Sequence, residues 1–153
     1  MEIEGKKFLV VGTGISGIAA AELLVKKNLN VVLYDGNEEL KEQEIREKSP
    51  LLERVEIVLG TLTTEQIKSC DIAVLSPGVP TDSPMVNVMR EAGLAIWGEI
   101  ELAYAFEKGK VLAITGTNGK TTTTALLGEI MKNYYNNVQV VGNIGIPYTS
   151  VVD

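Results

Sequence analysis

Two glycine-rich strings carry the chemistry this chain can be read for. The first is Gly12-Thr13-Gly14-Ile15-Ser16-Gly17 and the second is Thr115-Gly116-Thr117-Asn118-Gly119-Lys120-Thr121-Thr122. In the first, Gly12, Gly14 and Gly17 follow an apolar run and open a helical pattern. That context suits a GxGxxG phosphate loop: one glycine for a tight turn, one for backbone approach to a phosphate, one for close helix packing. Asp35, at the end of the next β-branched run, sits where a dinucleotide-binding domain hydrogen-bonds a ribose. Alone, this pattern reads as an NAD site; glycines that serve only packing, and Asp35 as a turn carboxylate before Gly36-Asn37, are the alternatives. Ser76-Pro77-Gly78-Val79-Pro80 offers a hydroxyl and N–H groups for a diphosphate, or is a plain turn. In the second string, Gly119-Lys120-Thr121 matches the end of the GxxxxGK[ST] loop of ATP-binding proteins. Ile114 stands where that loop has its first glycine, so this is a shortened variant with Gly116 nearest. Lys120 is the candidate catalytic cation that stabilises charge on a γ-phosphate, and Thr121 the candidate Mg²⁺ ligand.

These residues need a scaffold of strands ending in loops. Short β-branched runs alternate with helical patterns from Lys7 onward, the signature of a parallel sheet with crossover helices. The expected strands are Phe8–Val11, Val31–Tyr34, Glu56–Leu59, Ile72–Leu75 and Ala95–Ile96. The expected helices are Ser16–Lys27, Glu38–Lys48 (a solvated one), Thr64–Ser69 and Pro84–Ala92. With right-handed crossovers they form an α/β fold: a Rossmann-like, doubly wound, five-stranded parallel sheet of order 3-2-1-4-5. Its ligand crevice lies at the carboxyl ends of strands 1 and 4. This first domain spans residues 1–109. Residues 110–153 read as the beginning of a P-loop ATPase domain: strand Val111–Ile114, the second loop, helix Lys120–Lys132 and strand Val138–Val141.

Bulk properties exclude several classes. The formal charge is −6; residues 1–109 hold 11 Lys+Arg against 18 Asp+Glu. That disfavours nonspecific binding to nucleic acid or an anionic membrane, but not phosphate held by helix N-terminal N–H groups. One cysteine, Cys70, and no histidine leave no intramolecular disulfide and no Cys/His metal cluster; Cys70 reads as a packing residue. No apolar stretch is long enough to span a bilayer and the first residues lack signal-peptide character, so a cytoplasmic protein is expected. Glu99 and Glu101, two apart on a helix, do not face each other; they read as charge complements to a helix N-terminus. Trp97 reads as an anchor for the interdomain linker.

The string Thr115 to Thr122 resembles the ATP loop of the Mur ligase family and its relatives, the folylpolyglutamate and cyanophycin synthetases. The preceding GxGxSG domain, the Ser76-Pro77-Gly78 loop, Gly98-Glu99-Ile100-Glu101-Leu102 and Gly142-Asn143-Ile144-Gly145 are similar to the branch that adds D-glutamate. The L-alanine-adding branch typically has His where this chain has Asn118, and folylpolyglutamate synthetases lack such a first domain. The resemblance covers the whole chain but only the amino-terminal third or so of such an enzyme. It implies that the first domain binds UDP-N-acetylmuramoyl-L-alanine rather than NAD. Gly14 and Gly36 would belong to that substrate site, with Ile15, Ser16 and Asp35 by the uracil and ribose, Ser76, Pro77 and Gly78 by the diphosphate, and Asn143 where the substrate passes toward ATP. Some relatives have Thr-Arg where this chain has Gly36-Asn37. Gly116, Thr117, Asn118, Gly119, Lys120, Thr121 and Thr122 would hold Mg²⁺-ATP. The implied reaction joins D-glutamate to the substrate through an acyl phosphate, in a monomeric enzyme of peptidoglycan precursor synthesis.

Two other readings stay open: an NAD-dependent oxidoreductase domain, and a noncatalytic nucleotide-binding module. Hydride transfer has no use for Gly119-Lys120-Thr121, which weighs against the first. Because further Mg²⁺ ligands and the D-glutamate contacts of the family lie beyond Asp153, the chain is expected to be inactive alone. Residues 111–153 are expected to be partly disordered, irregularly docked or covered by self-association.

Overall fold

A computed structural model describes residues 3–142 and 145–152. Five strands form one parallel sheet: β1 (Lys7–Val11), β2 (Asn30–Asp35), β3 (Glu56–Leu59), β4 (Ile72–Leu75) and β5 (Ala95–Gly98). Their order is β3-β2-β1-β4-β5, and every pairing is parallel. The central strands are continuous apolar runs because both faces are covered. On one face Phe8, Val10, Leu33 and Val74 pack with Ala20, Leu23 and Leu24 of α1 (Ile15–Lys26). On the other, Leu9, Val11, Ala73 and Leu75 meet Ile67, Val86 and Met89. Those last three belong to α3 (Thr64–Lys68) and α4 (Pro84–Glu91). Helices on both faces, with the order reversing beside β1, make the doubly wound sheet the alternation predicts.

Local signals fix the helix ends. Thr63 and Gln66 form a reciprocal capping box before α3, and Ser83 with Pro84 starts α4. After α1, Asn28 takes a left-handed φ of 57°, and Leu29 N–H bonds to the Leu24 carbonyl at 3.0 Å. This is a Schellman stop with asparagine in place of glycine.

Three expectations change. The Glu38–Lys48 helix shortens to α2 (Glu42–Arg46), because the Asn37 Oδ1 accepts from Glu39 N–H at 3.0 Å and turns the chain first. Trp97 lies within β5, and its ring packs edge-on to Phe8 with centroids 6.3 Å apart; it anchors an edge strand to the core rather than a linker. The strands expected at 111–114 and 138–141 do not form. A strand needs a ladder partner for its N–H and C=O groups, and neither segment finds one among the described residues.

Beyond the sheet, α5 (Glu99–Phe106) leads to a stretch without helix or strand, and α6 (Lys120–Lys132) has the predicted bounds. Without a strand, Val140 still seats on α6: a Cβ at Gly128 would fall 2.4 Å from its Cγ2. Docking is irregular but specific at the end of the segment. Tyr148 and Val152 join the core cluster of the first sheet. The short 3₁₀ turn Tyr148–Ser150 lies against α1 and α5.

Candidate functional site

The first loop is built around its glycines. Gly12 has φ 106°, and its N–H extends the β1–β2 ladder to the Tyr34 carbonyl at 2.7 Å. A Cβ at Gly17 would lie 1.9 Å from the Gly12 carbonyl oxygen, so the start of α1 is pressed onto the loop. Gly14 differs: an added Cβ would meet nothing within 4 Å. It is the N-cap of α1 and no side chain caps that helix. Exposed Gly14 and half-buried Ser16 therefore flank free helix N–H donors, the arrangement that attracts a phosphate. Ile15 stands 76% exposed at the same edge, an apolar surface for a planar base.

Ser76 enters from across the switch point. Its N–H bonds to the Val11 carbonyl at 3.0 Å, and its carbonyl accepts from Val79 N–H at 2.9 Å, closing the turn through exposed Pro77 and Gly78. The Ser76 Oγ is buried without a hydrogen-bond partner. It sits against the loop, 2.7 Å from where a Gly12 Cβ would be. An orphaned hydroxyl beside an uncapped helix is costly unless something polar completes it. A cavity of about 680 Å³ opens beside this turn, lined by Ser76, Pro77, Arg90, Trp97 and Glu99 among others.

Asp35 is occupied by the protein itself. Its Oδ2 accepts from Thr13 N–H at 3.0 Å and Thr13 Oγ1 at 2.8 Å, and its Oδ1 from Asn37 N–H at 3.1 Å. Burial raises the Asp35 pKa, but the Thr13 hydroxyl, the two backbone N–H groups and the charge of Lys48 together hold it below the usual carboxylate range. Asp35 is thus an ionised brace of the first loop, with Gly36 exposed beside it. Sequence reasoning missed Thr13, which is buried, and Lys48, whose Nζ donates to the Thr13 carbonyl at 3.1 Å. No local pattern marks either.

The second loop is solvent-exposed throughout. Gly116 and Gly119 have φ of 152° and 76°, and Gly119 is an N-cap with no side-chain cap on α6. Lys120 Nζ folds back onto the Gly116 carbonyl and onto Thr117 O at 3.3 Å. A lysine over a glycine-rich loop, uncapped N–H donors at Thr121 and Thr122, and the Thr121 hydroxyl fit a polyphosphate with its cation. Among the described residues no three His, Cys, Asp or Glu gather to hold a metal, so a cation at Thr121 would draw its other ligands from elsewhere. Asn118 is exposed in the loop, and Asn143 lies outside the described residues.

Glu99 and Glu101 divide their expected role. Glu101 does cap α5, its Oε2 accepting from Gly98 N–H at 2.8 Å. Glu99 instead turns inward and is buried. Its Oε1 accepts from Thr149 N–H at 2.6 Å and Thr149 Oγ1 at 2.8 Å. Nearby, Tyr148 Oη donates to Glu107 Oε2 at 2.6 Å; burial, then Glu107, push the Tyr148 pKa up, so it stays a donor. Cys70 is buried, which raises its thiol pKa, and packs as expected.

A family model for the "Mur ligase MurD-like, N-terminal domain" matches residues 6–98. The chain belongs to the MurD-like Mur ligases. A second model, "Mur ligase middle domain", matches residues 114–151 of this Mur ligase chain. A UDP-N-acetylmuramoylalanine–D-glutamate ligase of Lachnoclostridium phytofermentans is 55% identical over 152 residues, 99% of this chain and 34% of the relative. One from Lachnospira eligens is 51% identical over the same share. The chain therefore spans about a third of the length of the curated relatives it matches. Among solved structures, a pseudomurein peptide ligase type C from Methanothermus fervidus matches with TM-score 0.54 and 26% identity, over 84% of this chain and 26% of that one. The UDP-N-acetylmuramate–alanine ligase MurC of Thermotoga maritima matches with TM-score 0.53 and 25% identity, over 83% and 29%. No described helix is long and apolar enough to cross a membrane.

Proposed function

We propose that this chain is the amino-terminal part of a cytoplasmic, monomeric ligase that joins D-glutamate to UDP-N-acetylmuramoyl-L-alanine. Residues 1–109 form its UDP-substrate domain and residues 110–153 the beginning of its ATP-binding domain. The observation that carries the reading is the buried, unpartnered Ser76 Oγ facing the uncapped α1 loop, in a chain that also holds a Gly119-Lys120-Thr121 helix start. An NAD site would use the first feature and leave the second idle.

In this reading the exposed Ile15 supports the uracil, and Ser16 and the N–H groups after Gly14 approach the ribose and phosphates. Asp35 acts chiefly by holding Thr13, and through it the loop, while Gly36 leaves room beside the ribose. The Ser76–Gly78 turn meets the diphosphate, which would complete the Ser76 hydroxyl, and Asn143 meets the substrate on its way to the second loop. There, residues 116–122 would hold the triphosphate, Lys120 would supply the cation for the transferring phosphoryl group, and Thr121 would be a ligand for Mg²⁺. When bound, Mg²⁺-ATP supplies the phosphoryl group that turns the substrate carboxylate into an acyl phosphate, whose phosphate the D-glutamate amine then displaces. The contribution of these residues is positioning and charge neutralisation.

Thermal unfolding with UDP, UDP-N-acetylmuramoyl-L-alanine, NAD and Mg²⁺-ATP tests the assignment. The uridine compounds should raise Tm and NAD should not. Stabilisation by NAD with none by the uridine compounds would replace the ligase reading by the oxidoreductase one.

A further inference from the structure

Lys48 lies in the charged stretch expected to be a solvated face, yet it is not directed at solvent alone. The segment that carries it is fixed on both sides: Ile45 is 1% and Ser49 3% exposed. Ser49 Oγ accepts from Leu51 N–H at 3.3 Å, starting the 3₁₀ turn Pro50–Arg54 that packs on α1. The neighbouring cations are taken by carboxylates, Lys41 by Glu44 at 3.1 Å and Arg46 by Glu42 at 2.5 Å. Lys48 instead reaches across to the Thr13 carbonyl at 3.1 Å. Thr13 is the residue between Gly12 and Gly14, so this ammonium stands one residue from the uncapped start of α1. The side chain bonded to Thr13 from the other direction is the Asp35 carboxylate, which by itself would repel an anion. An ammonium has three N–H donors; one held by Thr13 leaves two for a ligand.

The geometry points to Lys48 as a recognition residue of the first crevice, the exposed, loop-tethered cation that makes it prefer a uridine nucleotide bearing phosphate over bare uridine. The inference rests on the reading of that crevice as a uridine-nucleotide site. Lys48 offsets Asp35 and stands one residue from the helix N–H groups of the first loop, a task that an acidic domain cannot leave to its overall field.

Titration calorimetry on the 153-residue chain, with UDP and with uridine, separates the possibilities. Lys48→Met should weaken UDP about tenfold and leave uridine within about twofold, whereas Lys48→Arg should keep most of the UDP affinity. Equal weakening of both ligands would mean that Lys48 only shapes the loop, and unchanged UDP affinity would mean that it does nothing there; either result overturns the proposal. A wild-type chain that binds neither ligand overturns the crevice reading itself, and with it this inference. A second measurement needs no variant. Raising salt from about 50 to about 500 mM should narrow the wild-type preference for UDP over uridine, and a preference indifferent to salt is the refuting result.

Discussion

The bonds between Glu99 and Thr149 join the start of α5 to a segment fifty residues away in sequence, and removing them has a calculable effect. Glu99→Ala leaves Thr149 N–H and Oγ1 without their acceptor, and Thr149 is itself only 3% exposed. Hydrogen bonds to a charged group contribute about 1.5–3 kcal/mol each, which sets an upper figure near ~6 kcal/mol for the pair. Release of the segment limits the cost, because undocked Thr149 is solvated. Undocking exposes Tyr148 and Val152, at roughly 1.5–3 kcal/mol for each buried side chain of this size. The two routes have similar costs, so Glu99→Ala should destabilise the chain by about 3 kcal/mol, partly through local release. Glu99→Gln tests the mechanism. Both Thr149 bonds end on the single oxygen Oε1, which an amide carbonyl can replace, and a neutral group also avoids the cost of burying a charge. Its effect should stay within about 1 kcal/mol. Urea unfolding gives the free energies, and a cycle with Thr149→Val gives the coupling. Amide exchange at Thr149 should rise sharply in Glu99→Ala and little in Glu99→Gln. A Glu99→Ala cost below about 1 kcal/mol, with zero coupling to Thr149, would refute the idea that this tie docks the segment.

Glycines of the first loop should separate packing from binding. Gly17→Ala must displace backbone and should cost more than about 4 kcal/mol, whereas Gly14→Ala should change stability by less than about 1 kcal/mol but weaken UDP, as unfolding and calorimetry would show. Asp35 has a folded-state pKa below its unfolded value, so its stabilisation is present above the unfolded pKa and is lost as pH falls through the folded one. Thr13→Val removes one of the bonds that lower it and should flatten the stability loss seen below about pH 4 in acid titrations of unfolding. Lys120 is exposed and, among the described residues, bonds only to its own loop. Lys120→Ala should therefore leave stability within about 0.5 kcal/mol while abolishing any Mg²⁺-ATP-dependent rise in Tm.

How much of this was legible in the sequence depends on how far each cause reaches along the chain. Strands such as Phe8–Val11 declare themselves because burial on both faces demands an unbroken apolar run, and the 3-2-1-4-5 order is suggested by the GxGxxG loop after the first strand, since handedness alone allows other doubly wound orders. The glycine loops are legible for the same local reason: Gly17 is forced by a contact five residues back. The same kind of pattern misleads at 111–114 and 138–141, where the residues suit a strand but the ladder requires a neighbour that periodicity cannot supply. Helix α6 forms where they do not, since its hydrogen bonds close within the segment.

The site is read less completely than the fold because its second layer is assembled from distant residues. Thr13 braces Asp35 across 22 positions and Lys48 reaches Thr13 across 35; an isolated threonine or a lysine in a charged stretch carries no mark of either task. Glu99 shows the limit most plainly, since its place at the start of a helix correctly suggests a dipole partner. Glu101 fills that role, and what turns Glu99 inward is a threonine that only the folded chain brings near. Residues that touch ligand backbone-first were therefore visible as spacing. Those that hold them in place become visible only when the sheet has decided who their neighbours are.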